Sequence, residues 1–166
     1  MNYYHNILHD DMRNGPGLRV VLFLSGCAHH CVGCHNPQTW DPKSGIEFDQ
    51  SAWDEIMEQL SKSYINGITF SGGDPLNPLN QSLVRNLCEY IRKVYPDKNI
   101  WLWTGFTWET IENKEILEYL DVLIDGQFKE TLHDPRLKWC GSSNQRVIDV
   151  QRSLKEEKIV LYESEN

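Results

Sequence analysis

At 166 residues, 40% of them hydrophobic, the chain is long enough for one domain with a genuine core and too short for two comfortable ones. Its 24 acidic side chains against 16 basic ones give a formal charge of -8, which argues against a phosphate-binding surface and so against nucleic acid as a partner. No run approaches the roughly 18 to 20 apolar residues of a membrane span, and the start MNYYHNILHDD lacks the layout of an export signal, so a cytoplasmic protein without a membrane partner is expected.

In chain order, VVLFL at 20–24 reads as a strand buried on both faces. Ser51, a plausible N-cap, precedes Trp53, Ile56, Met57 and Leu60, whose spacing puts them on one face of a helix expected to stop near Tyr64. Strands are predicted at 67–70, 99–103 and 120–124. Between the first two, Leu83, Leu87, Ile91 and Val94 mark a helix that Tyr95-Pro96 ends. A weaker helical pattern covers roughly 108–119, and the tail from Gln145 to Tyr162 has room for one or two strands around KEEK. Alternating strands and helices with short loops imply right-handed crossovers and an α/β fold, a mostly parallel sheet covered by helices.

Each of the four strands ends in a small or polar residue followed by glycine: Ser25-Gly26, Ser71-Gly72-Gly73, Thr104-Gly105 and Asp125-Gly126. Parallel sheets bind ligands at the carboxyl ends of their strands, so these turns mark one candidate site. Thr104 is placed either to hydrogen-bond a ligand or to start its turn. Asp125 reads slightly better as an ordinary Asp-Gly turn than as a contact to a ribose hydroxyl or to a partner. Trp101 and Trp103 share one side of their strand, where core packing is the expected role. Ser142, Ser143 and Asn144 either line the pocket or satisfy a loop, and His5 and His9 read as surface residues.

The segment CAHHCVGC holds three of the five cysteines, Cys27, Cys31 and Cys34, directly after the first strand. In a reducing compartment such crowding reads as metal-binding or catalytic rather than as a disulfide framework. The C-x3-C-x2-C spacing leaves three possibilities open: an iron-sulfur cluster with one uncoordinated iron, a zinc site completed by His29, His30 or His35, or a group of ordinary thiols. Cys88 sits among helical core positions and reads as a small hydrophobe, while Cys140 has no assigned role. In ITFSGGDPL at 68–76, Gly72 and Gly73 let backbone carbonyls approach an ammonium group and Asp74 adds negative charge, as an amino acid ligand requires. The plainer alternative is a turn in which Asp74 caps the following helix.

A C-x3-C-x2-C loop after the first strand, paired with a glycine-glycine-acid turn after the second, resembles the radical S-adenosylmethionine superfamily. Within it, NGPGLR (14 to 19), SGC (25 to 27), GCHNPQTW (33 to 40), SGGDPL (71 to 76), IWLWTGF (100 to 106), DVLIDGQF (121 to 128) and GSSNQR (141 to 146) are similar to the family of activators of anaerobic ribonucleoside-triphosphate reductases. The resemblance implies one radical S-adenosylmethionine domain over 1–166, built as an incomplete, open-sided β/α barrel, since the chain is too short for eight units.

It further implies a [4Fe-4S] cluster on Cys27, Cys31 and Cys34 whose open iron chelates S-adenosyl-L-methionine. One electron entering the sulfonium then yields methionine and a 5'-deoxyadenosyl radical, which takes hydrogen from the glycyl-radical loop of the reductase large subunit. By the same resemblance Gly72, Gly73 and Asp74 hold the methionyl ammonium, Gly33, Cys34 and His35 border the nucleoside, and a flavodoxin-like protein donates electrons. Two positions depart from the broad superfamily: Gly33 replaces a frequent aromatic residue, leaving His35 as the candidate for adenine stacking, and Asp74 is one methylene shorter than the usual glutamate. A related activator of another glycyl-radical enzyme is the nearest alternative, and the lack of a second cysteine cluster favours the small reductase activator. A zinc-binding interaction module is the alternative from a different class.

Overall fold

The computed structural model describes residues 1–163. Seven strands form one sheet: β1 (Tyr3–Asp11), β2 (Leu18–Leu24), β3 (Ile46–Glu47), β4 (Ile65–Gly72), β5 (Asn99–Trp103), β6 (Val122–Asp125) and β7 (Arg146–Asp149). Helices α1 (Gln50–Leu60), α2 (Gln81–Val94) and α3 (Val150–Glu156) connect or follow them. The order is β3-β1-β2-β4-β5-β6-β7, with β2, β4, β5 and β6 parallel and antiparallel pairings at both flanks. β3 and β7 are its two edges, so the sheet is open rather than closed.

Alternation along the parallel strands divides the interior in two. Val20, Leu22 and Leu24 of β2, Ile68 and Phe70 of β4, and Ile100 and Leu102 of β5 face a large apolar core with Ile56 and Leu60 of α1 and Leu87 and Ile91 of α2. Cys88 is fully buried there, as its helical position predicts. Among the described residues no α-helix contributes to the apolar cluster on the opposite face. On it Trp101, Val122 and Ile124 pack with Trp103, Trp139 and Tyr162, so Trp101 takes the expected core role. The helices therefore pack on the first face.

Several boundaries differ from expectation. Asp49, not Ser51, caps α1, its carboxylate accepting from the Ala52 amide at 2.9 Å. That helix ends at Leu60 rather than near Tyr64. The helix predicted over 108–119 is two 3-10 segments, Trp108–Thr110 and Lys114–Tyr119, because Ile111 is extended and Asn113 restarts the turn by accepting from the Glu115 amide. β1 has no counterpart in the sequence reading. In the tail, β7 and an isolated bridge at Leu161 match the one or two strands expected, while α3 lies between them unforeseen. No described helix is long and apolar enough to cross a membrane.

Candidate active site

The carboxyl ends of β2, β4, β5 and β6 meet at one edge, and a cavity of about 400 Å³ opens there. Its wall includes Cys27, Cys31, Cys34 and His35 from the cysteine loop, Gly72 and Gly73 after β4, and Thr104 after β5. The structure thus brings these seven candidate residues together, with His29, Trp103 and Cys140 lining the same cavity. Gly33 and Asp74 fall outside that wall, Gly33 lying against the Glu130 side chain and Asp74 behind the turn it belongs to.

All three thiols are free and partly buried. Burial pushes the Cys27 and Cys31 thiols up from their ordinary value, so loading metal on them must displace protons. Among the described residues no three His, Cys, Asp or Glu side chains converge on a point as a single ion requires. Zinc draws thiolates in to about 2.3 Å, whereas a cubane takes each cysteine on a different iron. Three free thiols lining one cavity are a donor set that fits a cluster, one cysteine to each of three irons. Of the histidines considered for zinc, His29 bonds Asp74 at 2.6 Å and His30 stacks on Trp40 with ring centroids 4.5 Å apart, while His35 lines the cavity beside the thiols.

The glycine turn after β4 is shaped by packing. A Cβ on Gly72, whose φ is +109°, would lie 2.4 Å from the backbone N and O of Leu24, and one on Gly73 would lie 2.6 Å from the Gly26 carbonyl oxygen. Close approach to β2 and the cysteine loop already demands glycine at both positions. Asp74, 1% exposed, accepts from the Leu76 amide at 2.9 Å, the Gly105 amide at 3.0 Å and the Thr104 hydroxyl at 2.8 Å. It does not cap α2, whose N-cap is Asn80. Thr104 both donates to Asp74 and accepts from the Phe106 amide at 3.1 Å, so its hydroxyl starts the turn.

Asp125 is buried and held by Arg146 and by the Trp108 amide at 2.8 Å, which gives it a structural place. Arg146 also bridges to Glu109 at 2.8 Å, and that hydrogen bond holds the Glu109 carboxyl down to about 2. Because the folded value lies below the ordinary 4.5, the pair stabilises the fold fully above that value and its contribution is lost as pH falls toward 2. Glu109→Gln is expected to flatten the acid-side fall of melting temperature in that window; identical slopes for both proteins would contradict it.

Sequence reasoning missed the floor of the cavity. Arg13 and Asn14 line it, and the loop carrying them is fixed by Arg19, a fully buried cation whose guanidinium donates to the Pro16 carbonyl at 3.0 Å, Ile68 carbonyl at 2.9 Å and Thr69 hydroxyl at 2.9 Å. Burial pulls Arg19 down to about 10. Phe128, Trp139, Cys140, Gly141 and Gln145 close the far wall. The family-like stretches DVLIDGQF and GSSNQR were the signals for that wall, yet Ser142 and Asn144 satisfy each other and the loop rather than the cavity.

The family described as a 4Fe-4S single cluster domain matches residues 13–148. The chain is 46% identical over 144 residues to the anaerobic ribonucleoside-triphosphate reductase-activating protein of Enterobacteria phage T4, covering 87% of this chain and 92% of that one. Its likeness to the proteins of the same name is 44% over 146 residues for Vibrio cholerae (86% and 94%) and 43% over 148 residues for Escherichia coli (87% and 96%). With a 4Fe-4S domain match over most of its length and relatives of one name aligned nearly end to end, the chain belongs to the family of anaerobic ribonucleoside-triphosphate reductase-activating proteins.

Proposed function

We propose that this chain is a single radical S-adenosylmethionine domain, an open-sided barrel over 1–166, that installs a glycyl radical on the large subunit of an anaerobic ribonucleoside-triphosphate reductase. The supporting observation is the meeting of Cys27, Cys31 and Cys34 with Gly72 and Gly73 in one cavity at the carboxyl edge of an open sheet. In this reading Cys27, Cys31 and Cys34 would hold a [4Fe-4S] cluster as thiolates. When bound, the cluster supplies one electron and a free iron to S-adenosyl-L-methionine, whose carbon-sulfur cleavage gives methionine and a 5'-deoxyadenosyl radical. Hydrogen abstraction from the reductase glycine then gives 5'-deoxyadenosine and the glycyl radical.

The chain's own residues bind, orient and shield. Gly72 and Gly73 present backbone to the methionyl end, and Thr104, tied to Asp74, forms the wall beside them. Gly33 turns the loop before its last cysteine. His35 borders the nucleoside, with its ring 5.2 Å from that of Phe128, an aromatic corner suited to adenine. His35→Ala is expected to weaken S-adenosyl-L-methionine binding about tenfold, from the roughly 1–3 kcal/mol of base-aromatic stacking. Equilibrium dialysis with cluster-loaded protein checks this, and unchanged affinity moves the stacking to another residue. The open side of the sheet suits a substrate that is another protein's loop, and a flavodoxin-like donor is the proposed electron source.

Reduced protein, S-adenosyl-L-methionine and the reductase, incubated without oxygen, should give a glycyl doublet by electron paramagnetic resonance. Cleavage of S-adenosyl-L-methionine without a doublet would assign the chemistry to another target.

A further inference from the structure

His29 lies between two cysteines of the loop, yet its ring belongs to the neighbouring turns. Nε2 is 2.6 Å from Asp74 Oδ2, and Nδ1 is 3.1 Å from the Gln127 side-chain amide nitrogen. Gln127 donates, so Nδ1 accepts and Nε2 carries the hydrogen given to Asp74. The ring meets Phe106 edge-on at 4.7 Å and fills the space over Gly105, where a Cβ would stand 2.4 Å from it. With side chains 10% and 1% exposed, His29 and Asp74 form a short contact sheltered from water.

A carboxylate offers about four lone-pair sites. Those of Asp74 are taken by His29, Leu76, Thr104 and Gly105. We infer that Asp74 serves the protein rather than the ligand: with His29 it forms a pin that locks the cysteine loop to the turns after β4 and β5, making His29 a positioning residue for the cluster ligands. The missing methylene relative to glutamate follows, because a longer side chain would push the carboxylate out of this seat. The inference rests on the activating-enzyme reading only for what the loop carries; the pin itself is a property of the chain.

Two measurements test it. In the full-length chain before cluster loading, hydrogen exchange at amides 28–34 should speed at least about tenfold in His29→Ala and in Asp74→Asn, while α2 keeps its wild-type protection. In the loaded protein, iron loss to a chelator should speed about 10- to 100-fold, the usual effect of losing a partner behind a metal ligand. His29→Gln, which keeps a donor near the Nε2 position, should recover most of both, and the double variant should be no worse than the worse single. Wild-type exchange in His29→Ala, or single effects that simply add, overturns the pin. If Asp74→Asn fails to fold, the two His29 variants decide alone. A wild-type chain that takes up no cluster defeats the activating-enzyme reading, and the exchange measurement still judges the pin.

Discussion

Alanine in place of Cys27, Cys31 or Cys34 is expected to abolish the broad visible absorption of anaerobically reconstituted protein and S-adenosyl-L-methionine cleavage together. Two remaining thiolates leave a cubane with a second open corner and no purchase for the loop, so each cysteine is individually necessary. Cys88→Ala should keep both properties. Its thiol is fully buried among Leu87 and Ile91, and burial pushes it up to about 12, so it offers no thiolate near neutral pH. The cost there is a small cavity worth about 1 kcal/mol of stability. Equal loss from all four substitutions would refute the ligand set.

Gly72→Ala carries the second large effect, and its cause is steric. The added methyl would sit 2.4 Å from the Leu24 backbone N and O, atoms of the neighbouring strand β2 that cannot yield as a flexible side-chain end would. The residue would also be held at φ +109°, which L side chains rarely adopt. Overpacking of about 1–3 kcal/mol and backbone strain of similar size add to roughly 4 kcal/mol. For a chain of this length that lowers the melting temperature by about 8–16 °C, measurable before any cluster is loaded. An unchanged melting temperature would mean that the turn needs glycine only for its ligand.

The parallel strands and their shared edge were legible because each combines an apolar run with a small-residue-glycine ending, a pattern set by burial on both faces and a tight turn. β1 escaped notice because YYHNILHDD is mostly half-exposed, paired antiparallel at the flank, and only Ile7 in it is buried. Arg19 was equally opaque: a cation beside an apolar run reads as a strand boundary, and its burial follows from acceptors far along the chain, Ile68 and Thr69, together with the folded loop of Pro16. The cysteine loop and glycine turn were read as two halves of one site, and the structure places them around one cavity. What spacing did not reveal is Asp74 facing inward, since that depends on donors from residues 29, 104 and 105, far apart along the chain.

Reconstituting the protein with iron and sulfide without oxygen, reducing it, and recording its electron paramagnetic resonance before and after adding S-adenosyl-L-methionine shows whether one iron is open to the ligand. About four irons per chain and a cluster signal that changes shape on addition are predicted, because the ligand reaches an iron that no cysteine holds. A signal indifferent to the ligand, or a colourless chain retaining a single zinc, would contradict a cluster with an open iron.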